Sequence, residues 1–492
     1  METDGQQTPV LDLLVIGAGF AGLGMAIKAK QAGLAFVILE RAAELGGTWR
    51  DNRYPGCACD TQSHHYSFSF APNPGWSRRF AGQAEILDYL KRTAERFGLA
   101  PHLRFNERVV DLAFDESTGL WSARSTSGAR FRARFVASAV GQLNQAAVAE
   151  ITGLDGFSGR VMHTAQWDPS YAFEDKRVAV IGSGASAIQL IPALAERARE
   201  LLVFQRSPTW IFPKENRPYA SWEKALFRAL PPWRWLHRAS IYWSWERSWP
   251  EFLLNSRQAT RKTAQLRQAI SGEFADRSLA ETLTPDYPLG CKRILLAENY
   301  YSALQRDNVT VVTEPIARIE DDAIVTRSGT CYPVEAIAMA TGFKSHDFMP
   351  GLTITGRDGK RLGEVWSQSG GAEAYLGLSV PGFPNFFMLY GPNTNLGHNS
   401  IIFMIECQIR YILAAIAATR RRRAKGLEVT EAAMAAFYRQ LNGELARIAW
   451  SGNCNSWYKT AGGKIINNWS TDTPRYWWRT RRLDLKHYRF LT

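Results

Sequence analysis

Two stretches of the chain alternate between a short apolar run, a glycine-rich turn and a helical segment. The first begins with the buried-strand pattern of Leu11 to Ile16, continues through a helix predicted from Ala21 to about Ala32, and ends in a second apolar run, Ala35 to Leu39. Glu40 follows about 20 residues after the turn, where a dinucleotide-binding βαβ unit has the acid that accepts hydrogen bonds from ribose hydroxyls. The turn fits GxGxxG at Gly17, Gly19 and Gly22.

The second stretch repeats this pattern with a different polar end. An apolar run from Lys176 to Ile181 precedes a GxGxxA turn, a helix and a further run from Leu201 to Gln205. Where the first unit has a carboxylate, this unit has glutamine followed by Arg206 and Ser207. A cation and a hydroxyl favour the 2′-phosphate of NADP, so we expect the first unit to bind FAD and the second to bind NADPH. The residues of the second turn are Gly182, Ser183, Gly184, Ala185, Ser186 and Ala187.

The segment from Phe157 to Asp168, FSGRVMHTAQWD, lies between the two units and has little helical or strand periodicity. A linker that only spans a gap is small and polar, whereas Phe157, His163 and Trp167 are large side chains that anchor a backbone by packing. We therefore expect an ordered, well-packed connection between the two domains. Within it, His163 is expected to form hydrogen bonds rather than to carry a proton.

A glycine-rich stretch, Gly46 to Asp60, follows the first unit. Pro55 and the glycines are incompatible with a helix, so the stretch is predicted to be a loop that starts beside the first dinucleotide. Its last residue is an acid, and Asp60 is either an exposed turn carboxylate or a carboxylate turned into the site.

An aromatic and basic segment, Pro208 to Pro288, interrupts the α/β alternation with a helical pattern that breaks at Pro231 and Pro232. We expect its tryptophans to pack an internal core or line an apolar pocket rather than to face a membrane. They include Trp222, Trp233, Trp235, Trp243, Trp245 and Trp249.

Apolar runs after this segment return the chain to each unit in turn. Val309 to Val312 and Ala336 to Phe343 are predicted strands of the second unit, and Phe386 to Leu389 with a helix from about Ser400 to Ala418 rejoins the first. The predicted fold is α/β, with two Rossmann-like dinucleotide-binding domains and a helical insertion. The predicted boundaries are 1–147 and 345–492 for the discontinuous FAD domain, 152–212 and 291–344 for the NADP domain, and 213–290 for the insertion.

Composition limits the remaining choices. The 492 residues are 46% hydrophobic and 21% charged, which suits two or three globular domains. No apolar run approaches the roughly 20 residues of a membrane span, and the polar start METDGQQTPV is unlike a signal peptide, so we expect a cytoplasmic protein without a transmembrane segment. The six cysteines are expected to be reduced thiols. The net charge of +13 is densest at Arg420 to Arg423 and Lys425, which suits a helix end better than a membrane surface or nucleic acid.

Three motifs together resemble those of the Baeyer-Villiger monooxygenases, a family of class B flavoprotein monooxygenases. The family motif GGxWxxxx(F/Y)PGxxxD matches from Gly46 to Asp60, and its ATG(Y/F) signature matches Ala340 to Phe343. The second glycine turn departs from the strict pattern at Ala187, and the polar stretch Ile465 to Pro474 has no assigned motif. The family fingerprint FxGxxxHxxxW(P/D) matches at Phe157, Gly159, His163, Trp167 and Asp168.

The resemblance implies an NADPH- and O₂-dependent monooxygenase that converts ketones to esters or lactones through a C4a-peroxyflavin, with sulfoxidation as a side activity. It assigns the catalytic arginine to Arg293, its carboxylate partner to Asp60, and a 2′-phosphate clamp to Lys292, Arg206 and Ser207. The alternatives are a class B enzyme that oxygenates nitrogen or sulfur, and a flavoprotein without this activity that binds membranes at the tryptophan-rich segment. A disulfide reductase is disfavoured because no CxxxxC lies beside the flavin motif.

The expected partners are a small ketone and O₂, with no nucleic acid, no metal, and a monomer or weak homo-oligomer as the assembly. The predicted cofactor residues form two sets. The FAD set is Gly17, Gly19, Gly22, Glu40, Arg41, Thr48, Trp49, Asp60 and Tyr66; the NADPH set is Gly182, Ser183, Gly184, Ala185, Ser186, Arg206, Ser207, Lys292, Thr341 and Gly342.

Overall fold

Parallel strands form the centre of two separate sheets in the computed structural model, which describes residues 9–492. Residues 1–8, which carry most of the expectation about a signal peptide, lie outside the described part. The strands in chain order are β1 Val10–Ile16, β2 Phe36–Leu39, β3 Leu103–Arg104, β4 Val109–Asp115, β5 Leu120–Ser125, β6 Arg130–Ser138, β7 Arg160–His163, β8 Arg177–Ile181, β9 Glu200–Phe204, β10 Ile211–Pro213, β11 Leu295–Ala297, β12 Val309–Val312, β13 Ile316–Ile319, β14 Ala323–Thr326, β15 Cys331–Pro333, β16 Ala336–Met339, β17 Thr353–Thr355, β18 Phe386–Met388, β19 Gly426–Val429 and β20 Tyr488–Leu491.

Helices cover the sheets and build most of the region between β10 and β11. The α-helices are α1 Phe20–Gln31, α2 Thr48–Asp51, α3 Gln83–Arg96, α4 Ala185–Ala195, α5 Ser221–Ala229, α6 Pro231–Glu246, α7 Arg257–Glu273, α8 Arg277–Thr282, α9 Tyr300–Leu304, α10 Leu362–Gln368, α11 Ile401–Arg421, α12 Glu431–Leu445 and α13 Thr473–Thr480.

The first sheet has the strand order β17-β4-β5-β6-β1-β2-β3, and β18 also pairs with β6. Strand β1 is parallel to both β2 and β6, with Leu13 opposite Phe36 and Phe135. Apolar side chains on both faces of β1 are buried because helices α1 and α11 cover one side and the remaining core covers the other. The carboxyl ends of β1 and β2 therefore meet at one edge, where the first glycine turn begins.

The second sheet is entirely parallel, in the order β12-β9-β8-β16-β7. Its edge strand β7 is part of the segment that we expected to be a connection, so that expectation is wrong for Arg160–His163. These four residues are a strand because they pair in register with Ala336–Met339, far along the chain. A four-residue strand whose partner is so distant leaves no periodicity that the local sequence could reveal.

Helix α11 passes the length and composition test for a membrane span, unlike the sequence expectation that no apolar run approaches that length. However, 61% of the apolar stretch of this helix is buried inside the protein. It packs against α1 and α13, so the apolar residues form the core of the first unit. Its last turn contains Arg420 and Arg421, as the charge pattern predicted.

Helices α5 to α8 form the predicted insertion, but the expectation that its tryptophans are buried is wrong for four of them. Helix α6 is fixed through Arg238, whose guanidinium donates to the carbonyl oxygens of His64 at 2.6 Å and Ser67 at 2.9 Å. Arg238 and Ile241 occupy the inward face of α6, whereas four tryptophans of the insertion face solvent. The exposed members are Trp222, Trp233, Trp235 and Trp243.

Candidate active site

The first glycine turn is closed by contacts that no larger residue would allow. Gly17 has φ +103°, and a Cβ there would lie 2.6 Å from the carbonyl oxygen of Ala139. A Cβ on Gly22 would lie 1.8 Å from the carbonyl oxygen of Gly17. At Gly19, by contrast, the nearest atom is the Cα of Gly47 at 3.6 Å, so the backbone is free to meet a pyrophosphate.

A cavity of about 520 Å³ opens from this turn. The residues that line it suit the adenine and ribose of a dinucleotide. Glu40 at the end of β2 is buried, and its carboxylate accepts hydrogen bonds from the Ala18 amide at 2.8 Å and the Arg50 guanidinium at 2.8 Å. This fixes an acceptor at the position predicted for a ribose hydroxyl. The predicted residues that line the cavity are Gly17, Gly19, Glu40, Arg41, Thr48, Trp49 and Tyr66.

The stretch from Gly46 to Asp60 differs from prediction at its start, because Thr48–Asp51 forms one turn of helix, α2. The four residues lie between Gly47 and Pro55, so the glycines and the proline flank the turn instead of interrupting it. The rest of the stretch is irregular and is held against α4 of the second unit. There the Gln189 amide accepts from the Tyr54 hydroxyl at 3.0 Å and donates to the Ala58 carbonyl at 3.0 Å.

The second glycine turn and the polar residues after β9 form a cationic cradle. The Ser183 hydroxyl donates to the Ser207 carbonyl at 2.9 Å, and the Lys292 ammonium donates to the Ser207 hydroxyl at 2.7 Å. Burial lowers the pKa of Lys292, and the nearby positive charge of Arg206 lowers it further. Two cations beside a hydroxyl suit the binding of a phosphate dianion. A Cβ on Gly184 would have no atom within 4 Å, so there is open space next to this turn.

Asp60 is turned into the site, which decides between the two orientations that the sequence left open. Its carboxylate accepts from Arg293 Nη2 at 2.5 Å. Burial alone would raise the pKa of the Asp60 carboxyl, but the Arg293 guanidinium outweighs it and the pKa is lowered. Asp60 in turn raises the pKa of Arg293. Both groups are therefore ionised near neutral pH, and the Arg293 Nε is buried without a hydrogen-bond partner.

Three consecutive residues before β11 connect three parts of the site. Lys292 reaches the cradle of the second unit, and Arg293 reaches Asp60 of the first. Cys291 is joined by a disulfide to Cys454, with 6.3 Å between their Cα atoms. The expectation of reduced thiols is thus wrong for this pair, because two cysteines distant in sequence are adjacent in the fold.

The fingerprint residues lie within the second unit. Phe157 and Trp167 are buried in its core, and the Trp167 ring stacks on Phe173 with 5.4 Å between centroids. A Cβ on Gly159 would lie 2.5 Å from the Glu335 carbonyl oxygen. The Nδ1 of His163 accepts from the Ala165 amide at 3.0 Å. Asp168 accepts from Arg160 at 2.8 Å and from Ser170.

The chain passes from the first sheet to the second between β6 and β7. Thr341 donates its hydroxyl hydrogen to the Ala147 carbonyl at 2.5 Å, and the Ala147 amide donates to the Gly342 carbonyl at 2.9 Å. Phe343, the last residue of the ATG(Y/F) match, pairs with Ala146 and lines the large cavity. The ATG(Y/F) segment thus holds the crossing chain at the edge of the first cofactor site.

Three residues near the ion pair were not predicted from the sequence. Lys214 is buried and contributes to the lowered pKa of Asp60. Tyr390 lines the large cavity and influences the pKa of Arg293, as does Tyr458. Burial raises the pKa of Tyr458 to about 12, so its hydroxyl is protonated. Tyr390 follows directly after the predicted strand Phe386 to Leu389, but no pattern pointed to the other two.

The polar stretch Ile465 to Pro474, which had no motif, packs against the loop after β18. The Asn395 amide donates to the Asn467 carbonyl at 2.9 Å, and the Asn395 side chain donates to Asn468 Oδ1 at 2.7 Å. The Asn393 side chain donates to the Ile465 carbonyl at 2.9 Å. Paired amides thus satisfy buried polar groups and hold this stretch beside Tyr390 and Tyr458.

The cysteines of the first unit are unsuited to disulfide exchange with a flavin. Burial raises the pKa of the Cys57 thiol to about 11 and that of the Cys59 thiol to about 12, so both stay protonated. Within residues 9–492, no group of three or more His, Cys, Asp or Glu side chains could hold a metal ion.

Two dinucleotide units with a charged pair between them define a flavin-dependent, nicotinamide-dependent oxidoreductase.

Comparison with known proteins gives the family. The chain is 41% identical over 482 residues to a Baeyer-Villiger monooxygenase of Streptomyces coelicolor, covering 97% of this chain and 92% of the relative. A Baeyer-Villiger monooxygenase of Pseudomonas aeruginosa is 42% identical, with 97% and 91% covered. The chain therefore belongs to the Baeyer-Villiger monooxygenase family, whose members are FAD-containing, NADPH-dependent monooxygenases.

Solved structures and a broader family agree with this result. An oxidised steroid monooxygenase bound to NADP is 31% identical, with a TM-score of 0.87, and 98% of this chain and 100% of that chain are covered. A cyclohexanone monooxygenase from Rhodococcus sp. Phi1 bound to NADP⁺ is 27% identical, with a TM-score of 0.89 and coverage of 99% and 100%. Residues 14–222 match the family described as pyridine nucleotide-disulphide oxidoreductase.

Proposed function

We propose that this chain converts a hydrophobic ketone to an ester or lactone, with Arg293 and Asp60 at the reacting centre. The position of Arg293 carries the proposal. Its guanidinium pairs with Asp60 from the loop after the FAD unit, while the preceding Lys292 reaches Ser207 in the NADP unit. A fixed cation between two cofactor units suits the stabilisation of an anion that forms there.

Arg293 is proposed to bind the oxygen anion that develops on the substrate carbonyl when the carbonyl carbon is attacked. Because Asp60 raises its pKa, the guanidinium keeps its proton throughout the physiological range. Asp60 accepts from Nη2 only, so the guanidinium keeps its other N–H donors. Removal of such a preorganised donor from an oxyanion site costs about 100- to 1,000-fold in kcat.

Asp60 is proposed to orient the guanidinium without exchanging a proton, because its lowered pKa keeps it ionised. Glu40 is proposed to hold the FAD ribose, and Arg206, Ser207 and Lys292 the 2′-phosphate of NADPH. Bound FAD, reduced by NADPH, supplies the activation of O₂ for transfer to the substrate. We also propose that the other predicted cofactor residues contact FAD or NADPH, that the fingerprint connects the two cofactor domains, and that the domains have the boundaries predicted from the sequence.

The substrate is proposed to be an alicyclic or aromatic ketone, with sulfides oxidised in a side reaction. Solved relatives are named for cyclohexanone and for steroids, both of which are apolar ring systems. We propose a cytoplasmic enzyme, since NADPH is supplied there, that is a monomer or a weak homo-oligomer. NADPH consumption over a panel of aliphatic, cyclic and aryl ketones, with the mass of each product, tests the substrate class.

Replacement of Arg293 by Ala tests the catalytic assignment. We expect Arg293→Ala to retain FAD and to be reduced by NADPH under anaerobic conditions within about threefold of the wild-type rate, while ester formation falls by about 100-fold or more. Arg293→Lys should recover a small part of ester formation, because it restores the charge but not the planar donor set. Stopped-flow absorbance of the flavin and mass analysis of the product give the two rates.

Arg197→Ala is the matched control, since Arg197 is also paired with an acid, Glu174 at 2.7 Å, but lies on the surface of the second unit. It should leave both rates unchanged. Ketone conversion that survives in Arg293→Ala, with normal flavin reduction, contradicts the assignment and favours the class B alternative that oxygenates nitrogen or sulfur.

A further inference from the structure

Helix α6 carries a continuous apolar stripe that faces solvent. The side chains of Trp235, Leu236 and Trp243 are 68%, 53% and 52% exposed, and at 100° per residue they lie within one third of the helix circumference. Large apolar side chains exposed together mark an interaction surface more often than single ones do. We name this surface the tryptophan face, and its members on α6 are Trp233, Trp235, Leu236 and Trp243.

Polar contacts made by other residues of α6 fix the orientation of the helix. Arg238 donates to two carbonyls of the first unit, and the Tyr242 hydroxyl is 2.8 Å from the Thr473 hydroxyl. Glu246, which is buried, accepts from the Thr473 amide at 2.9 Å and from its hydroxyl at 2.6 Å. A rotation of α6 that buried the tryptophans would break these hydrogen bonds and leave buried polar groups without partners.

The exposed charges of the segment from residue 221 to residue 248 are of one sign. Arg228 and Arg247 are exposed, and Lys224 and Arg234 are partly exposed. The acids between residues 221 and 248 are Glu223, which is buried and paired with Arg217 at 2.7 Å, and the buried Glu246. Within this segment, exposed apolar rings therefore occur together with exposed cations, and both carboxylates are buried.

The exposed apolar rings and the exposed cations together distinguish between the molecules that could bind this face. A second copy in a twofold interface would bring the same arginines against each other, which costs energy. A membrane crossing is excluded for α6 itself, because 16 residues at about 1.5 Å each span only about 24 Å. Tryptophan prefers the level of lipid headgroups, and cations beside it are attracted to anionic lipid.

We propose that the tryptophan face docks the enzyme on the surface of a membrane that contains anionic lipid, with α6 lying in the plane of the headgroups. The net charge of +13 on the chain acts in the same direction. The docking is a property separate from catalysis, and it stands whichever ketone the enzyme oxidises.

Vesicle co-sedimentation of the FAD-loaded full-length protein tests the proposal. The probes are vesicles of phosphatidylcholine alone and vesicles in which about one third of the lipid is phosphatidylglycerol. We expect binding to the anionic vesicles, weakened by about 0.5 M salt, and a partition coefficient at least about tenfold lower for Trp235→Ser/Trp243→Ser. Arg228→Gln/Arg247→Gln should weaken binding to anionic vesicles more than to neutral ones.

Trp478→Ser is the matched control, because Trp478 is 59% exposed but lies on α13 with the Arg481 guanidinium 3.2 Å from its ring centre. It should bind vesicles like the wild type. Circular dichroism and ketone turnover in the absence of lipid should be the same for all variants, so that lost binding is not lost folding. Wild-type protein that does not pellet with anionic vesicles overturns the proposal, as does a Trp235→Ser/Trp243→Ser variant that pellets equally. A variant that converts a dimer to a monomer without any vesicle binding assigns the face to a second copy instead.

Discussion

Two adjacent histidines make the contact between the insertion and the FAD unit sensitive to acid. Burial lowers the pKa of His64 to about 3, and the positive charges of His237 and Arg234 add to the effect. Burial also lowers the pKa of His65 to about 3. In the unfolded chain these histidines are protonated as the pH falls below their ordinary pKa of 6.5, whereas in the folded chain they are protonated only near pH 3. Stability is therefore lost as the pH falls through this window.

Replacement of His64 by Phe isolates one of the two contributions. The His64 Nε2 has no hydrogen-bond partner, and its ring lies 4.4 Å from the Phe227 ring and 5.1 Å from the Tyr219 ring, so a phenyl ring keeps the packing. Between pH 7 and pH 5, a histidine with a pKa of 6.5 unfolded and about 3 folded costs about 2 kcal/mol of unfolding free energy. We expect His64→Phe to lose about 2 kcal/mol less than the wild type over that interval.

Urea unfolding of the FAD-loaded protein at pH 7 and pH 5, followed by circular dichroism, measures the difference. The control is His346→Gln, because His346 is exposed and its replacement should change the unfolding free energy by less than about 0.5 kcal/mol. An unfolding free energy that falls equally in His64→Phe and wild type between the two pH values refutes the assignment. It would mean that His64 is protonated in the folded protein at pH 5.

Two further predictions concern the residues before β11. Lys292→Gln should raise the KM for NADPH by about tenfold or more while the KM for NADH stays unchanged, because only the 2′-phosphate loses a charged partner; steady-state kinetics with both cofactors checks this, and an equal rise for NADH would contradict it. Cys291→Ser should lower the unfolding free energy by about 5 kcal/mol, the chain-entropy value for a cross-link that spans 163 residues, whereas Cys331→Ser at an exposed free cysteine should not. Urea unfolding with and without reductant measures this loss, and a wild type that is insensitive to reductant would contradict it.

The parts of the fold that the sequence predicted are those whose signals are local. The strand, turn and helix of each dinucleotide unit follow one another within about 30 residues, so periodicity and glycines identify them. Strand β7 was missed because its partner β16 is distant, and the disulfide was missed because Cys291 and Cys454 meet only after folding. The cytoplasmic expectation also disfavoured a disulfide.

The site was predicted where a motif fixes a residue and missed where packing does. Asp60 is a motif position and Arg293 was assigned from the family resemblance, and their side chains meet at 2.5 Å. Lys214 and Tyr458 approach that pair from segments without any motif, so only the folded chain brings them there. The tryptophans of α6 were misjudged because tryptophan is usually buried, whereas the inward face of this helix is occupied by Arg238 and Ile241.

The interleaved order of strands sets the sequence of events during synthesis on the ribosome. The parallel sheet of the second unit is complete once β16 has emerged, but the first sheet still lacks β18, which pairs with β6, and the buried helix α11. Until then the edge of β6 and the apolar surface under α11 are uncovered, and such edges recruit other chains. The last strand, β20, pairs with β19 at the very end of the chain. A premature stop before β18 therefore leaves a nascent chain with a finished nicotinamide unit and an aggregation-prone flavin unit.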